Sequence, residues 1–411
     1  MTRLVMKFGG TSSADPSRLE ACAALIAERQ KEGAAIAVVV SAPAGMTDQL
    51  GCDVANADPK GQWPDEGDAV LAAGEQINAA LLAMALRRLG LRARSYTGWQ
   101  AGILTDGDHG VAKIQSIEID RLAALIDGGT IAVVAGFQGL GPDGRITTLG
   151  RGGSDLSAVA LAAALGAQAC EIYTDVEGVF SADPRMVPTA KPIAHLSYEE
   201  LLEMASQGTK VMQSRSVELA MAKAVTLRIL SSFAGKVPKD GTTIGTHAAL
   251  ERAMVRAISY SRDEARIMVH HLPAGSEALT RVFAVLAEAG IQVDLIVQSP
   301  GNRVNESTLV FSLRRGDAQQ ALALLTDPCH KLALDEVSLD PDMAKVSVIG
   351  IGLRSQTRMA HTMFETLCTH DIAIGAVATS ETRISALIPA ADVEMAVRAL
   401  HCAFGLDQAR T

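Results

Sequence analysis

Two glycine-rich segments constrain this chain more than anything else in it. One is Lys7-Phe8-Gly9-Gly10-Thr11-Ser12, directly after the apolar run Leu4-Val5-Met6; the other is Thr147-Thr148-Leu149-Gly150-Arg151-Gly152-Gly153-Ser154-Asp155. Each follows a strand-like run and opens a helix-like one. Such a junction aims backbone N–H groups and the positive end of a helix at an anion, while the glycines admit close approach. A single Gly-Gly pair after a strand is most often a tight turn that binds nothing. Two of them, one carrying Lys7 and the other Arg151 and Asp155, point to a phosphate moved between two bound molecules. Neither segment matches G-x-x-x-x-G-K-[ST] or G-x-G-x-x-G, so a kinase architecture other than the P-loop or dinucleotide type is required.

Through residue 233 short β-branched runs alternate with Ala/Leu-rich helical ones. Strands are expected at 36–40, 131–135, 171–174 and 226–231, and helices at 16–32, 68–89, 154–165 and 197–206, several with Ser or Asp at the N-cap. This alternation argues an α/β fold with a mainly parallel sheet covered on both faces, ligands at the carboxyl ends of its strands, and both glycine motifs on that edge. Residues 234–253, with Gly235, Pro238, Asp240-Gly241 and Gly245, break the periodicity and mark a boundary. A near-repeat follows. Residues 265–271, a helix through 282–286, 291–296 and 308–313 read β-α-β-β, and 345–351, a helix through 363–367, 372–377 and 383–388 read the same, each copy ending in an amphipathic helix. Two ferredoxin-like βαββαβ units account for this. The expected domains are 1–248 and 249–411, the latter holding one unit at about 264–340 and a second at about 341–411 completed by a strand near 254–260.

The 411 residues carry a formal charge of −9 and no run of like charges, which excludes nucleic acid as a partner because backbone binding needs a clustered basic face. No stretch reads as a membrane span, and the N-terminus opens on a strand without a leader pattern, so a cytoplasmic protein is expected. The six cysteines form no C-x-x-C and read as reduced core thiols. Neither Cys329-His330 nor Cys368 with His370 has the spacing of a four-ligand metal site. His109, His195 and His247 lie in loop-like stretches and read as surface residues.

In order and spacing, K-F-G-G-T-S at 7–12, V-V-V-S-A at 38–42, G-E at 74–75, G-F-Q-G at 136–139, T-T-L-G-R-G-G-S-D at 147–155, T-D-V-E-G-V at 174–179, A-D-P-R at 182–185 and G-T-K-V at 208–211 resemble the aspartate kinases, with the tail resembling their paired ACT modules. The resemblance implies an amino-acid kinase α/β/α sandwich followed by tandem ACT domains, and ATP-dependent phosphorylation of the side-chain carboxylate of L-aspartate. Lys7 would contact the transferring phosphate, with Asp155 orienting it. The amides of Gly9 and Gly10, with Ser41, would cradle the donor phosphates. Arg151 would grip an acceptor carboxylate bidentately, as a lysine could not, with Gly152, Gly153 and Ser154 beside it. Thr47 and Glu75 would line the acceptor site, Glu75 facing the α-ammonium. Thr174, Asp175, Phe180, Asp183, Arg185 and Lys210 match ATP-binding positions. Mg²⁺ is implied as the companion of the nucleotide, whose phosphates bring their own ligands. A carboxylate acceptor is already ionised near neutral pH, so no general base is needed. Asn78 departs from the family's more frequent Ser. Two alternatives stay open: a related kinase acting on glutamate or an acylated glutamate, and a catalytically silent amino-acid sensor.

The ACT-like tail also implies a homo-oligomer and an amino-acid effector, and Met254 sits where a separate short regulatory chain could begin. Lysine- and threonine-inhibited relatives have segments resembling D-K-P-G, Q-N-V-S and S-H-P-G. Here the corresponding stretches are Ala274-Gly275-Ser276-Glu277, Gln298-Ser299-Pro300-Gly301 and Ser355-Gln356-Thr357-Arg358, which implies altered or weakened feedback, although Ser380-Glu381 survives.

Overall fold

A computed structural model describes residues 2–206, 212–238, 240–246, 254–273, 275–300, 306–327, 334, 336–353 and 357–408. Of the sequence expectations, Lys210, His247, Ala274, Gly301, Cys329, His330, Ser355 and Gln356 lie outside the described residues. Among the described residues the chain forms two compact units, one drawn from Met1–Val179, Pro192–Ala205 and Lys210–Ala248, the other from Phe180–Lys191, Ser206–Thr209 and Ala249–Thr411.

The first unit runs β1 (Thr2–Phe8), α1 (Pro16–Lys31), β2 (Ala34–Val40), α2 (Met46–Ala57), α3 (Pro64–Arg88), β3 (Ala93–Tyr96), β4 (Ile103–Thr105), β5 (Ile114–Ile117), α4 (Asp120–Asp127), β6 (Ile131–Ala135), β7 (Gln138–Leu140), β8 (Ile146–Thr148), α5 (Gly153–Leu165), β9 (Ala169–Thr174), β10 (His195–Leu196), α6 (Tyr198–Ser206), α7 (Ser214–Ala222), β11 (Leu227–Ser231) and β12 (Thr242–Ile244). Its main sheet has the order β10-β12-β11-β9-β1-β2-β6-β3 and is parallel apart from the β11–β12 pair. The central strands bury apolar side chains on both faces, from Val5, Met6 and Phe8 to Val38–Val40 and Ile131–Ala135, as helices on both sides of a parallel sheet demand. Two helix starts in this unit are capped by side-chain oxygens. Asp15 accepts from the Arg18 N–H at 2.9 Å, and Ser197 and Glu200 form a reciprocal capping box at α6.

Strand β1 lies between β2 and β9, with Phe8 in register with Val40 on one side and Tyr173 on the other. Strand order reverses there, so the carboxyl ends of β1, β2 and β9 open a crevice at a topological switch point. The first glycine segment falls on this edge. The second does not. It follows β8, which belongs to a separate four-stranded sheet of order β5-β4-β7-β8, and it reaches the crevice only because α5 packs against β1. A short apolar run cannot announce which sheet it joins, and the Gln138–Thr148 pairing that settles the matter is tertiary.

Helix α3 meets the length and hydropathy of a membrane span, contrary to expectation; half of that stretch is buried, and the helix carries Asp68, Glu75 and Asn78 inward. It is the core helix behind the crevice. The thiols also depart from expectation. Cys22 and Cys170 are buried, but Cys52, Cys368 and Cys402 are exposed.

The second unit runs β13 (Met254–Pro273), α8 (Ser276–Glu288), β14 (Val297–Pro300), β15 (Glu306–Leu313), α9 (Ala318–Thr326), β16 (Glu336–Ile351), α10 (Thr357–Thr369), β17 (Ala376–Thr379), β18 (Arg383–Pro389) and α11 (Val393–Ala403), forming one sheet of order β14-β15-β13-β16-β18-β17. Both ferredoxin-like units lie in this sheet. The second half of β13 pairs with β15 and the first half with the end of β16, so each long strand serves two units with separate cores. One core gathers Ile267, Val282, Leu286 and Phe311; the other gathers Ile258, Val346, Met363 and Leu400. The strand expected at 291–296 is instead 297–300. Ile291 and Leu295 are buried as plugs, while the exposed 297–300 supplies the ladder to β15.

Candidate active site

At the crevice, Lys7 Nζ lies 2.6 Å from Asp155 Oδ1, with both side chains 12% exposed. Strand β1 delivers the lysine and the first turn of α5 delivers the acid, where the helix dipole favours negative charge. Gly9 packs beside the cation, since a Cβ there would lie 3.5 Å from Lys7 Nζ. Gly10 is required by contact, because its Cβ would fall 2.7 Å from Ala42 O. The amide cradle is smaller than expected. The Gly9 N–H donates to Tyr173 O at 3.3 Å and the Ser41 N–H to Phe8 O at 3.1 Å, so the sheet edge already uses both.

Asn78 explains how this loop is held. Its Nδ2 donates to Ser13 Oγ at 2.8 Å and Ser41 O at 2.6 Å, while Oδ1 has no hydrogen-bond partner. One turn earlier on α3, Glu75 accepts from the Ala42 N–H at 3.0 Å through Oε1, and its buried Oε2 has no partner. Gly74 makes this possible, for a Cβ there would lie 2.8 Å from the Ala42 Cβ. Burial pushes the Glu75 carboxyl up to about 7, against the opposing pull of the Ala42 N–H and the Lys7 charge. An unpartnered acceptor in an apolar wall suits a cationic ligand group.

The second glycine segment forms the facing wall. Gly152, left-handed at φ 74°, begins α5, and a Cβ there would collide with Gln213. Gly153 lies against Phe137, and Ser154 against Gly136. Arg151 is exposed at the tip of the turn. Thr47, in the first turn of α2, is also exposed. Thr174 ends β9, with Asp175 directly after it, beside Ser232, whose N–H donates to Thr174 O at 2.8 Å.

Phe180, Asp183 and Arg185 belong to the second unit. There Asp183 accepts from the Arg185 guanidinium and from the Tyr260 hydroxyl at 3.0 Å, and Arg185 foremost holds its carboxyl below the ordinary range. His109 is not the surface residue expected from its loop. Its Nδ1 lies 2.8 Å from a carboxylate oxygen of Asp68, which is 2% exposed. Asp68 was legible in principle, because it stands seven residues before Glu75 and so on the same face of α3.

A cation, an organising acid, a close-approach glycine loop and a helix N-terminus converging on one strand edge define a phosphoryl transferase built without a P-loop. The model of the amino acid kinase family matches residues 2–231, and an ACT domain model matches 346–404. The aspartate kinase of Pseudomonas putida is 41% identical over 407 residues, covering 99% of this chain and 98% of its own. Two structures of Escherichia coli aspartokinase III are similar along the whole chain. The R-state with aspartate and ADP has a TM-score of 0.78 at 27% identity, covering 97% of this chain and 99% of its own. The T-state with lysine and aspartate has a TM-score of 0.76 at 26% identity, covering 98% and 99%. The chain belongs to the aspartate kinases.

Proposed function

We propose that this protein transfers the γ-phosphoryl group of ATP to the side-chain carboxylate of L-aspartate, forming 4-phospho-L-aspartate. The observation that carries the reading is the Lys7–Asp155 pair at the switch point, with the unpartnered Glu75 Oε2 on the neighbouring helix. An acceptor carboxylate oxygen attacks phosphorus, the bond to the β-phosphate oxygen breaks, and charge spreads over the transferring oxygens. Lys7 neutralises that charge and Asp155 keeps Lys7 aimed. Arg151, with Gly152, Gly153 and Ser154 shaping its turn, takes the α-carboxylate, Glu75 takes the α-ammonium, and Thr47 borders the acceptor. Gly9, Gly10 and Ser41 line the donor phosphates by close approach. Thr174 and Asp175 serve the nucleotide, and the family likeness extends that role to Phe180, Asp183, Arg185 and Lys210.

Mg²⁺ is the proposed counter-ion. The nucleotide phosphates and water would supply most of its ligands. The ion supplies neutralisation of phosphate charge. The proposed setting is the cytoplasm.

The test is ADP formation measured with aspartate and with glutamate. One methylene in a fitted pocket is worth roughly 10–200-fold, so aspartate should lead in kcat/KM by that margin. Equal rates, or a glutamate preference, would sink the assignment.

The ACT modules are proposed to mediate self-association and to read an amino-acid effector, with feedback weakened relative to lysine- and threonine-inhibited relatives. Glu277, in the position of a glycine in those relatives, is exposed in the first turn of α8 and pairs with Arg281 at 2.7 Å. Lysine and threonine, singly and together, should inhibit little at subsaturating aspartate, with sedimentation run alongside to follow the oligomer. Strong concerted inhibition at sub-millimolar concentrations refutes this.

A further inference from the structure

The turn that carries Arg151 is held from two sides by side chains with no assigned role. From α3, Asp68 accepts from the Thr148 N–H at 3.0 Å, from the Thr148 hydroxyl, and from the Gly110 N–H at 3.1 Å, with His109 Nδ1 2.8 Å away. From α7, the Arg215 guanidinium donates to Leu149 O at 2.8 Å and to Ala112 O at 2.7 Å. Around these, the Ala112 N–H donates to Thr148 O, the Leu149 N–H to Phe137 O and the Gly153 N–H to Gly150 O. The chain on either side of Arg151 is therefore pinned, and the arginine itself projects from the pinned segment.

An exposed guanidinium loses side-chain entropy when it grips a carboxylate, so the geometry of its backbone decides whether both N–H···O bonds form together. A buried carboxylate that satisfies the N–H groups of Thr148, at the end of β8, and of Gly110, in a separate loop, is a strong device for fixing that backbone, since the Thr148 donor would otherwise be buried unpaired. Arg215 does the same to carbonyl groups, and its planar fork spans two acceptors that one ammonium could not hold equally.

We propose that Asp68 and Arg215 are positioning residues for the acceptor: they hold the Thr148–Leu149 backbone and so set Arg151 for bidentate capture of the substrate carboxylate. The proposal rests on the reading of Arg151 above, and Arg151→Lys tests that reading separately. Neither residue is expected to touch the substrate.

The test is steady-state kinetics on the full chain for Asp68→Asn, Arg215→Lys and Arg151→Lys, each with a thermal denaturation curve. Asp68→Asn puts an amide where two backbone donors need an acceptor, and Arg215→Lys leaves one carbonyl unserved. Misplacement of a binding group by about an ångström costs up to about 100-fold. We expect KM for aspartate to rise about tenfold or more in Asp68→Asn and less in Arg215→Lys, with KM for ATP within about twofold of wild type. Arg151→Lys should raise the same constant, and adding Asp68→Asn to it should raise it little further, because both changes act on one contact. If Arg151→Lys affects aspartate and the folded positioning variants do not, or if they raise both KM values together, the proposal is overturned. If Arg151→Lys leaves KM for aspartate unchanged, the reading beneath it falls. Should Asp68→Asn fail to fold, Arg215→Lys carries the same comparison.

Discussion

Replacing Lys7 with alanine is expected to lower kcat about a thousandfold while leaving a folded protein. A preorganised donor aimed at charge that develops in the transition state is worth about 10²–10³ in rate, and Lys7 brings a full charge to a site walled by buried strands. The fold should survive because the acid left behind, Asp155, sits in the first turn of α5, where the helix dipole supports an ionised carboxylate. Asp155 is buried, so the variant should be less stable than the wild type while still folding. Asp155→Asn should lose less activity than Lys7→Ala, since it removes the organiser and keeps the cation. The double variant should be no worse than Lys7→Ala alone, because a residue that works through another contributes nothing once that partner is gone. Steady-state turnover at saturating aspartate, with circular dichroism as the check on folding, measures all three. Near wild-type turnover in Lys7→Ala would remove the lysine from the mechanism.

The second large effect is a pH dependence rooted in Glu75. Its carboxyl is raised to about 7, chiefly by burial. At acid pH both the folded and the unfolded chain hold this proton and the group contributes nothing. Between the ordinary carboxylate range and about pH 7, the unfolded chain releases a proton that the folded state keeps, so stability declines as pH rises. Above that window the ionised, buried Glu75 costs about 3 kcal/mol. An α-ammonium at Oε2 relieves this cost only when Glu75 is ionised. Aspartate should therefore bind better as pH rises, with KM falling about tenfold between pH 6 and 8 at saturating ATP. Glu75→Gln should flatten that profile and raise KM at pH 8 about tenfold or more, with kcat changed far less. It should also be the more stable protein at pH 8, since the charge cost is gone. A KM profile that Glu75→Gln leaves unaltered would place the ammonium elsewhere.

What the sequence determined by itself was local. The strand-to-glycine-to-helix junctions at Gly9-Gly10 and Gly152-Gly153, the strand at 131–135 and the cap at Asp15 all follow from backbone sterics and short-range periodicity, which act over a few residues wherever the segment ends up. So too did the linked motifs that carry the family likeness. What only the tertiary structure decided involves partners far apart in the chain. The second glycine segment joins the smaller sheet, because β8 pairs with β7 and no pattern within 146–148 can choose a neighbour. The Gly9 and Ser41 amides are spent on the sheet edge, a fact set by the register of β1 against β9 and β2. Asn78 ties the first glycine loop, and Asp68 gathers Thr148, His109 and Gly110, through contacts spanning tens of residues. Residues Phe180–Lys191 leave the first unit for the second, where Ile258 N–H, Tyr260 and Arg398 bond to them. Hydrophobic periodicity reports which face of an element is buried; it carries no record of which distant polar group waits there to be satisfied.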